Sequence, residues 1–181
     1  MSDNNFQGLL DQSNEAIQAM VGAAIRISDS ANRIGTSLAR RTEEVTQTNT
    51  LEEDSRRLEL IRIADRTADD FNQLSGLLYR EGERLTFSVA RCVDALLRAQ
   101  SIQEGEDEQE IVRAGMADLL PIAQLFYDLA TKLGQIQSML SSIALFSELQ
   151  ADAQHRATEI IEHQQIQIRS AADMIVAACS Q

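Results

Sequence analysis

Apolar residues recur along the first 45 positions of the chain in strictly alternating steps of four and three residues. Such steps average 3.5 residues, which is the period of a left-handed coiled-coil seam. A strand would need alternation by two, and this segment does not show it. The pattern therefore predicts a long helix over residues 4–46. Its seam is Phe6, Leu10, Ser13, Ile17, Met20, Ala24, Ile27, Ala31, Ile34, Leu38, Arg41 and Val45.

The first register fails after Val45, because its continuation would place mostly polar residues in the seam. Threonines at positions 46, 48 and 50 favour a turn near residues 47–50, since their hydroxyls compete for backbone hydrogen bonds. Thr50 and Glu53 have the spacing of a capping box, so a second helix is predicted over residues 51–102. The predicted seam of this helix is Leu58, Ile61, Ala64, Ala68, Phe71, Ser75, Leu78, Gly82, Leu85, Val89, Cys92, Leu96 and Ala99.

The exposed face of the second helix carries acid–arginine pairs four residues apart, with the acid first. This order is the stabilising one on a helix surface. The pairs support the helix prediction and indicate no site. They are Glu52 with Arg56, Glu53 with Arg57 and Asp94 with Arg98.

An acidic stretch at residues 104–110 predicts the second turn. Gly105 can end one helix there, and acids favour the first turn of the next. The seam that follows is Val112, Gly115, Leu119, Ile122, Phe126, Leu129, Leu133, Ile136, Leu140 and Ile143, and it continues in register to Ala178. Ser147 and Gln150 form a second candidate capping box, which favours helices over residues 107–147 and 148–180. The alternative is one helix over residues 108–180. Pro121 either kinks the third helix or marks a start.

These segments predict an all-α fold, an elongated antiparallel four-helix bundle or coiled coil of long helices, as a single domain over residues 1–181. Apolar residues make up 44% of the chain and aromatic residues only 4%. Aliphatic and small side chains of this kind interdigitate well between helices.

The formal net charge of −12 disfavours nucleic acid as a partner, because binding to phosphates needs clustered Lys and Arg. Anionic membrane surfaces are disfavoured for the same reason. No basic segment followed by an apolar run stands at the N-terminus, so a cytoplasmic location is expected. The two cysteines, Cys92 and Cys179, are interpreted as small buried side chains.

Reactive residues are scarce. His155, Glu159 and His163 lie close together on the fourth helix and are weak metal candidates, but the seam positions around them place this stripe on the outer face. A phosphorelay role for either histidine lacks the usual His-x-x-Lys-Gly surroundings. No nucleophile elbow and no glycine-rich phosphate loop occurs in the sequence. We expect neither a catalytic activity nor a cofactor.

The sequence thus favours a non-enzymatic interaction or assembly protein, a scaffold or adaptor that binds itself or another helical protein through coiled-coil faces. A pore-forming or membrane-remodelling protein is the first alternative, with residues 119–126 and 133–146 as inserting segments. A histidine-based metal or phosphorelay bundle is the second. The predicted interaction seam comprises Ile17, Met20, Ile27, Ile34, Leu38, Phe126, Leu133, Ile136, Leu140 and Ile143.

Overall fold

The computed structural model describes residues 2–180, and their side chains from residue 5 onward, as four long α-helices joined by short connections. The helices are α1 (Ser2–Gln47), α2 (Glu53–Ile102), α3 (Glu106–Ser141) and α4 (Glu148–Cys179). A 3₁₀ turn, Thr48–Thr50, follows α1. No strand occurs in this described part of the chain. The predicted all-α helical bundle is confirmed.

The helices contribute to two compact units. Unit 1 comprises Met1–Arg26, Glu81–Ala130 and Ile166–Gln181, and unit 2 comprises Ile27–Arg80 and Thr131–Gln165. Each unit therefore contains one segment of every helix, and segments joined by a short connection within a unit run antiparallel. The prediction of a single domain over residues 1–181 stays a prediction.

The predicted seam of α1 faces the interior, because each of its twelve residues is buried or half-buried. A second buried stripe runs beside it, one position before every second seam residue. Two adjacent stripes widen the apolar face beyond that of a two-stranded coiled coil, as expected for a helix that packs against two neighbours. The second stripe consists of Leu9, Ala16, Ala23 and Ser30.

Helix α3 ends at Ser141, so its predicted extension to residue 147 is wrong, and the single helix over residues 108–180 is excluded. The side chain of Gln150 holds the connection in a non-helical path. Its Oε1 accepts a hydrogen bond from the Phe146 N–H at 2.9 Å, and its Nε2 donates to the Ala144 carbonyl at 3.0 Å. Ser147 caps α4 as predicted, because its Oγ accepts from the Gln150 N–H at 3.1 Å.

The predicted capping box of Thr50 and Glu53 is wrong. The Thr50 hydroxyl donates backwards to the Gln47 carbonyl at 3.0 Å, and the Thr48 hydroxyl donates to the Val45 carbonyl at 2.7 Å. Because these hydroxyls extend the end of α1, α2 begins two residues later than predicted, at Glu53.

Pro121 lies inside α3, so it does not mark the start of a helix. A proline cannot donate to the carbonyl four residues earlier, which here belongs to Ala117. Both residues are exposed, so water can hydrate that carbonyl. The position on the outer face explains why α3 tolerates the only proline of the chain.

Candidate interaction surface

The predicted interaction seam lies largely inside the two units. Eight of its ten residues are buried, and Ile17 and Ile143 are half-buried. A partner of the folded chain therefore has to meet other side chains, and a role of the seam in partner binding stays a prediction.

The histidines lie on the outer face of α4, as their register predicts. His155 Nε2 lies 3.4 Å from Glu159 Oε1, with 75% of the His155 side chain and 64% of the Glu159 side chain exposed. His163 is exposed as well. Over the part of the chain with described side chains, no group of three or more His, Cys, Asp or Glu residues could hold a metal ion.

The cysteines are poor nucleophiles. Burial raises the pKa of Cys92 to about 11, and the nearby Cys179 adds to this shift. Burial also raises the pKa of Cys179, whose thiol donates to the Met116 carbonyl at 3.1 Å. A thiolate is the reactive form, so both thiols are in their inert form at neutral pH.

The start of α2 differs most from its sequence prediction. Leu58 and Ile61 were predicted to lie in the buried seam, but 65% of Leu58 and 39% of Ile61 are exposed. Every residue from 51 to 58 is exposed, including Leu51 at 44%. We call residues 48–62 the hairpin end.

The exposure of the hairpin end follows from the unequal lengths of the helices in unit 2. Val45 on α1, Ile63 on α2 and Ile143 after α3 line one cavity of about 170 Å³, so the α3–α4 connection lies beside residues 45 and 63. Residues 51–58, which are all exposed, lie beyond that level, where neither α3 nor α4 continues. Their apolar positions keep the coiled-coil spacing but have no helix of unit 2 to pack against.

The charged side chains at positions 52–57 have no ion-pair partner in the described residues, whereas Glu59 pairs with Arg62 at 3.7 Å and with Arg66 at 3.4 Å. The predicted pairs of Glu52 with Arg56 and of Glu53 with Arg57 are wrong, because no ion pair within 4 Å joins them in the described residues. The third predicted pair, Asp94 with Arg98, is confirmed at 3.6 Å. Exposed helix ends gain little from such pairs, since water screens both charges.

The base of the hairpin end is held by buried Arg41, a charged member of the predicted α1 seam. Its Nη1 lies 3.0 Å from Glu44 Oε2 and its Nη2 lies 3.7 Å from Asp70 Oδ2. Ser37 Oγ donates to the same Asp70 oxygen at 2.6 Å. Partial burial acts to raise the pKa of Glu44, but the Arg41 hydrogen bond and the Arg41, Arg66 and Arg40 guanidinium groups lower it overall. These contacts fix the register of α1 against α2.

Two further exposed leucines, Leu145 and Leu149, lie in unit 2 at the α3–α4 connection, each 53% exposed. Neither leucine belongs to the predicted seam, so the sequence pattern did not indicate this exposed pair.

Within residues 2–180, no helix has both the length and the apolar composition needed to cross a bilayer. Leu119, Phe126, Leu133 and Leu140, from the segments proposed to insert into membranes, are buried in the fold. Comparison of the chain with protein-family models, curated proteins and solved structures finds no match in any of the three.

Proposed function

We propose that the chain is a non-enzymatic assembly module that binds a second copy of itself through the hairpin end. The observation that carries this proposal is the exposure of Leu58 and Ile61, at 65% and 39%, in the coiled-coil register of α2. An amphipathic helix that keeps its apolar positions without covering them has the surface that a further helix requires.

The charges of the hairpin end favour a second copy as the partner. Acids occupy positions 52–54 and arginines follow at positions 56, 57 and 62. Two copies of this segment that pair antiparallel about Leu58 bring Asp54 of each copy opposite Arg62 of the other. The same arrangement brings Arg57 opposite Glu59. A two-fold axis repeats each favourable pair, which is how self-complementary surfaces form dimers.

The expected dimer is weak. Burial of Leu58 and Ile61 contributes about 1 to 2 kcal/mol for each side chain, so the four side chains of a symmetric dimer give roughly 4 to 8 kcal/mol. Loss of translational and rotational freedom opposes association by ~4 kcal/mol or more. The surplus of at most about 4 kcal/mol corresponds to a dissociation constant on the order of 1 mM or weaker, and flanking apolar residues such as Leu51 would tighten it.

The test is sedimentation equilibrium of the full chain from ~20 µM to ~2 mM, a range that reaches the constant expected from the energetic estimate. The mass is expected to rise from 20.1 kDa toward twice that value. The double substitution of Leu58→Gln with Ile61→Gln should keep the chain monomeric over this range. Ile166→Gln is the matched control, since Ile166 is 62% exposed but lies in unit 1.

A charge exchange then tests the antiparallel pairing. Asp54→Arg should weaken dimerisation, and the addition of Arg62→Asp should restore it, because the exchange re-forms the pair across the axis. A wild-type chain that stays monomeric at every concentration overturns the proposal. If the double variant of Leu58→Gln with Ile61→Gln dimerises as strongly as the wild type, the interface lies elsewhere. That result also overturns the proposal.

A further inference from the structure

A polar groove lies between α1 and α2 within unit 2, apart from the hairpin end. Its volume is about 610 Å³, within the range of pockets that hold small molecules. Ile34 and Leu74 line it with buried apolar surface, and Ser30, Arg33, Asn72 and Arg80 supply polar groups.

Ser30 is the central feature of the groove. Only 6% of the residue is exposed, and its hydroxyl has no hydrogen-bond partner among the described residues. Most other serines and threonines of the helices donate to a carbonyl three or four residues earlier, as Thr36 does to the Asn32 carbonyl. Four polar side-chain atoms are fully buried without a hydrogen bond in the described residues, and the Ser30 Oγ is not one of them. This oxygen therefore keeps some exposure toward the groove. A buried hydroxyl that keeps access to the groove lacks a hydrogen bond that a ligand can supply.

Two arginines flank this hydroxyl. The hydrogen bond between Ser37 and Asp70 sets the antiparallel register of α1 against α2, and by this register Ser30 lies at the level of Leu77. Arg33 is then about 4.5 Å further along the helix axis in one direction, and Arg80 about 4.5 Å in the other. Long guanidinium side chains on two helices span such a distance and can reach one group between them.

The charge of these two arginines is not balanced within the protein. Neither Arg33 nor Arg80 has an acidic partner within 4 Å in the described part of the chain, whereas Arg26 in unit 1 pairs with Glu81 at 2.9 Å. The one acidic residue in the described lining is Asp70, and it is already held by Ser37 and Arg41. The groove therefore carries positive charge, although the net charge of the whole chain is −12.

We infer that this groove binds a small organic anion, with a phosphate or carboxylate group held by Arg33, Arg80 and the Ser30 hydroxyl. Guanidinium groups bind these oxyanions through charge-assisted hydrogen bonds, and the Ser30 hydroxyl adds a donor. The organic part of the ligand lies against Ile34 and Leu74. The groove is larger than a free inorganic ion requires, so the ligand is an organic phosphate or carboxylate.

The experiment titrates the ¹⁵N-labelled full chain with phenyl phosphate, benzoate and neutral benzamide, and follows the arginine Nε–Hε resonances by NMR. Saturable shifts of Arg33 and Arg80 are expected with phenyl phosphate or benzoate and not with benzamide. Preference for phenyl phosphate assigns the site to phosphate esters, and preference for benzoate assigns it to carboxylates. Benzamide shifts as large as those of the anions, or anion shifts that never saturate, overturn the inference.

Variants distinguish a specific anion-binding site from non-specific electrostatic attraction of anions to arginine side chains. Arg33→Gln and Arg80→Gln should each raise the dissociation constant about tenfold, and Ser30→Ala about threefold. Arg169→Gln is the matched control, because Arg169 is an exposed arginine of unit 1 without an ion pair in the described residues. Ser30→Ala distinguishes specific from non-specific binding, because non-specific attraction of an anion to positive charge does not require a neutral hydroxyl. Equal constants for the Arg33→Gln and Arg169→Gln variants would contradict the proposed site.

Discussion

Unit 1 and unit 2 are built from segments of the same four helices, but their interiors differ in polarity. Of the nine buried polar or charged residues among the described side chains, two lie in unit 1 and seven in unit 2. The two in unit 1 are serines, Ser13 and Ser88. Unit 2 buries the guanidinium of Arg41 and the amides of Gln150 and Gln164. Unit 2 also contains the hairpin end and the groove of Arg33 and Arg80.

Unit 2 is therefore the unit in which burial of polar groups costs more stability. A buried polar atom without a partner costs free energy, and three of the four such atoms in the described residues belong to unit 2. They are Arg41 Nε, Gln154 Oε1 and Gln164 Oε1. The interior of unit 1 is mainly apolar, so its burial stabilises the fold with little loss from unpartnered polar groups. The surfaces for which we propose binding lie in the unit with more polar burial, a division expected when function is retained at some cost in stability.

The largest expected effect tests the apolar core of unit 1. Phe126→Ala should lower the free energy of unfolding by about 4 kcal/mol, because it leaves a cavity where Phe126 is fully buried. Phe87→Ala is the control in the same unit, since 65% of Phe87 is exposed and the Arg91 guanidinium lies over its ring at 5.9 Å. Its cost should stay within ~0.5 kcal/mol. Urea denaturation followed by circular dichroism measures both values, and similar costs for the two phenylalanines would contradict the burial described for unit 1.

A smaller effect tests the buried charge of unit 2. Arg41→Met should lower the free energy of unfolding by about 2 kcal/mol at neutral pH, because it removes the buried guanidinium that contacts both Glu44 and Asp70. Arg40→Met is the control, since Arg40 contacts the same Glu44 carboxylate at 3.7 Å with 63% of its side chain exposed. That change should cost less than ~0.5 kcal/mol.

The pH dependence of the Arg41 effect has a definite sign. The pKa of Glu44 in the folded chain is lowered from 4.5, so its contribution is fully present above the unfolded value. That contribution disappears as the pH falls through the lowered pKa of the folded state. The difference between wild type and Arg41→Met should therefore shrink in acid. A difference that grows as the pH falls would show that Glu44 is not the main partner.

The smallest effect concerns Gln164, which is 3% exposed with an unpartnered Oε1. Gln164→Leu should raise the free energy of unfolding by about 1 kcal/mol, because the orphan carbonyl is replaced by an apolar group of similar volume. Gln135→Leu, on the exposed face of α3 in the same unit, should change it by less than ~0.5 kcal/mol. Destabilisation by Gln164→Leu would mean that the Gln164 amide has its hydrogen bonds. Unit 2 would then have fewer unpartnered buried polar atoms, and the difference from unit 1 would be smaller.

The periodic pattern predicted most of the fold because helix formation and burial both follow from local spacing. The α1 seam from Phe6 to Val45 is buried or half-buried at each position, and the capping by Ser147 was visible as a four-residue motif. Sequence motifs gave wrong predictions where one side chain could form either of two local hydrogen bonds. The Thr50 hydroxyl bonds backwards instead of capping α2, and spacing alone does not decide between these hydrogen bonds.

The surfaces for which we propose binding were much less predictable. Leu58 and Ile61 carry the same seam pattern as Leu78 and Leu85, yet only the latter pair is buried. The groove is invisible in sequence because Ser30 and Arg80 are fifty residues apart and meet only through the register of α1 against α2. Nothing in the local sequence distinguishes Arg33 from the arginines that pair with acids.

Long amphipathic helices follow from the local spacing of this chain, since an apolar side chain every 3.5 residues produces a stripe whatever lies opposite. Which stretches of those stripes are covered is settled only when the helices pack. Coverage depends on how far each neighbouring helix extends, and α3 and α4 stop where the hairpin end of α1 and α2 continues. Burial is a property of two surfaces, and one segment's sequence specifies only one of them.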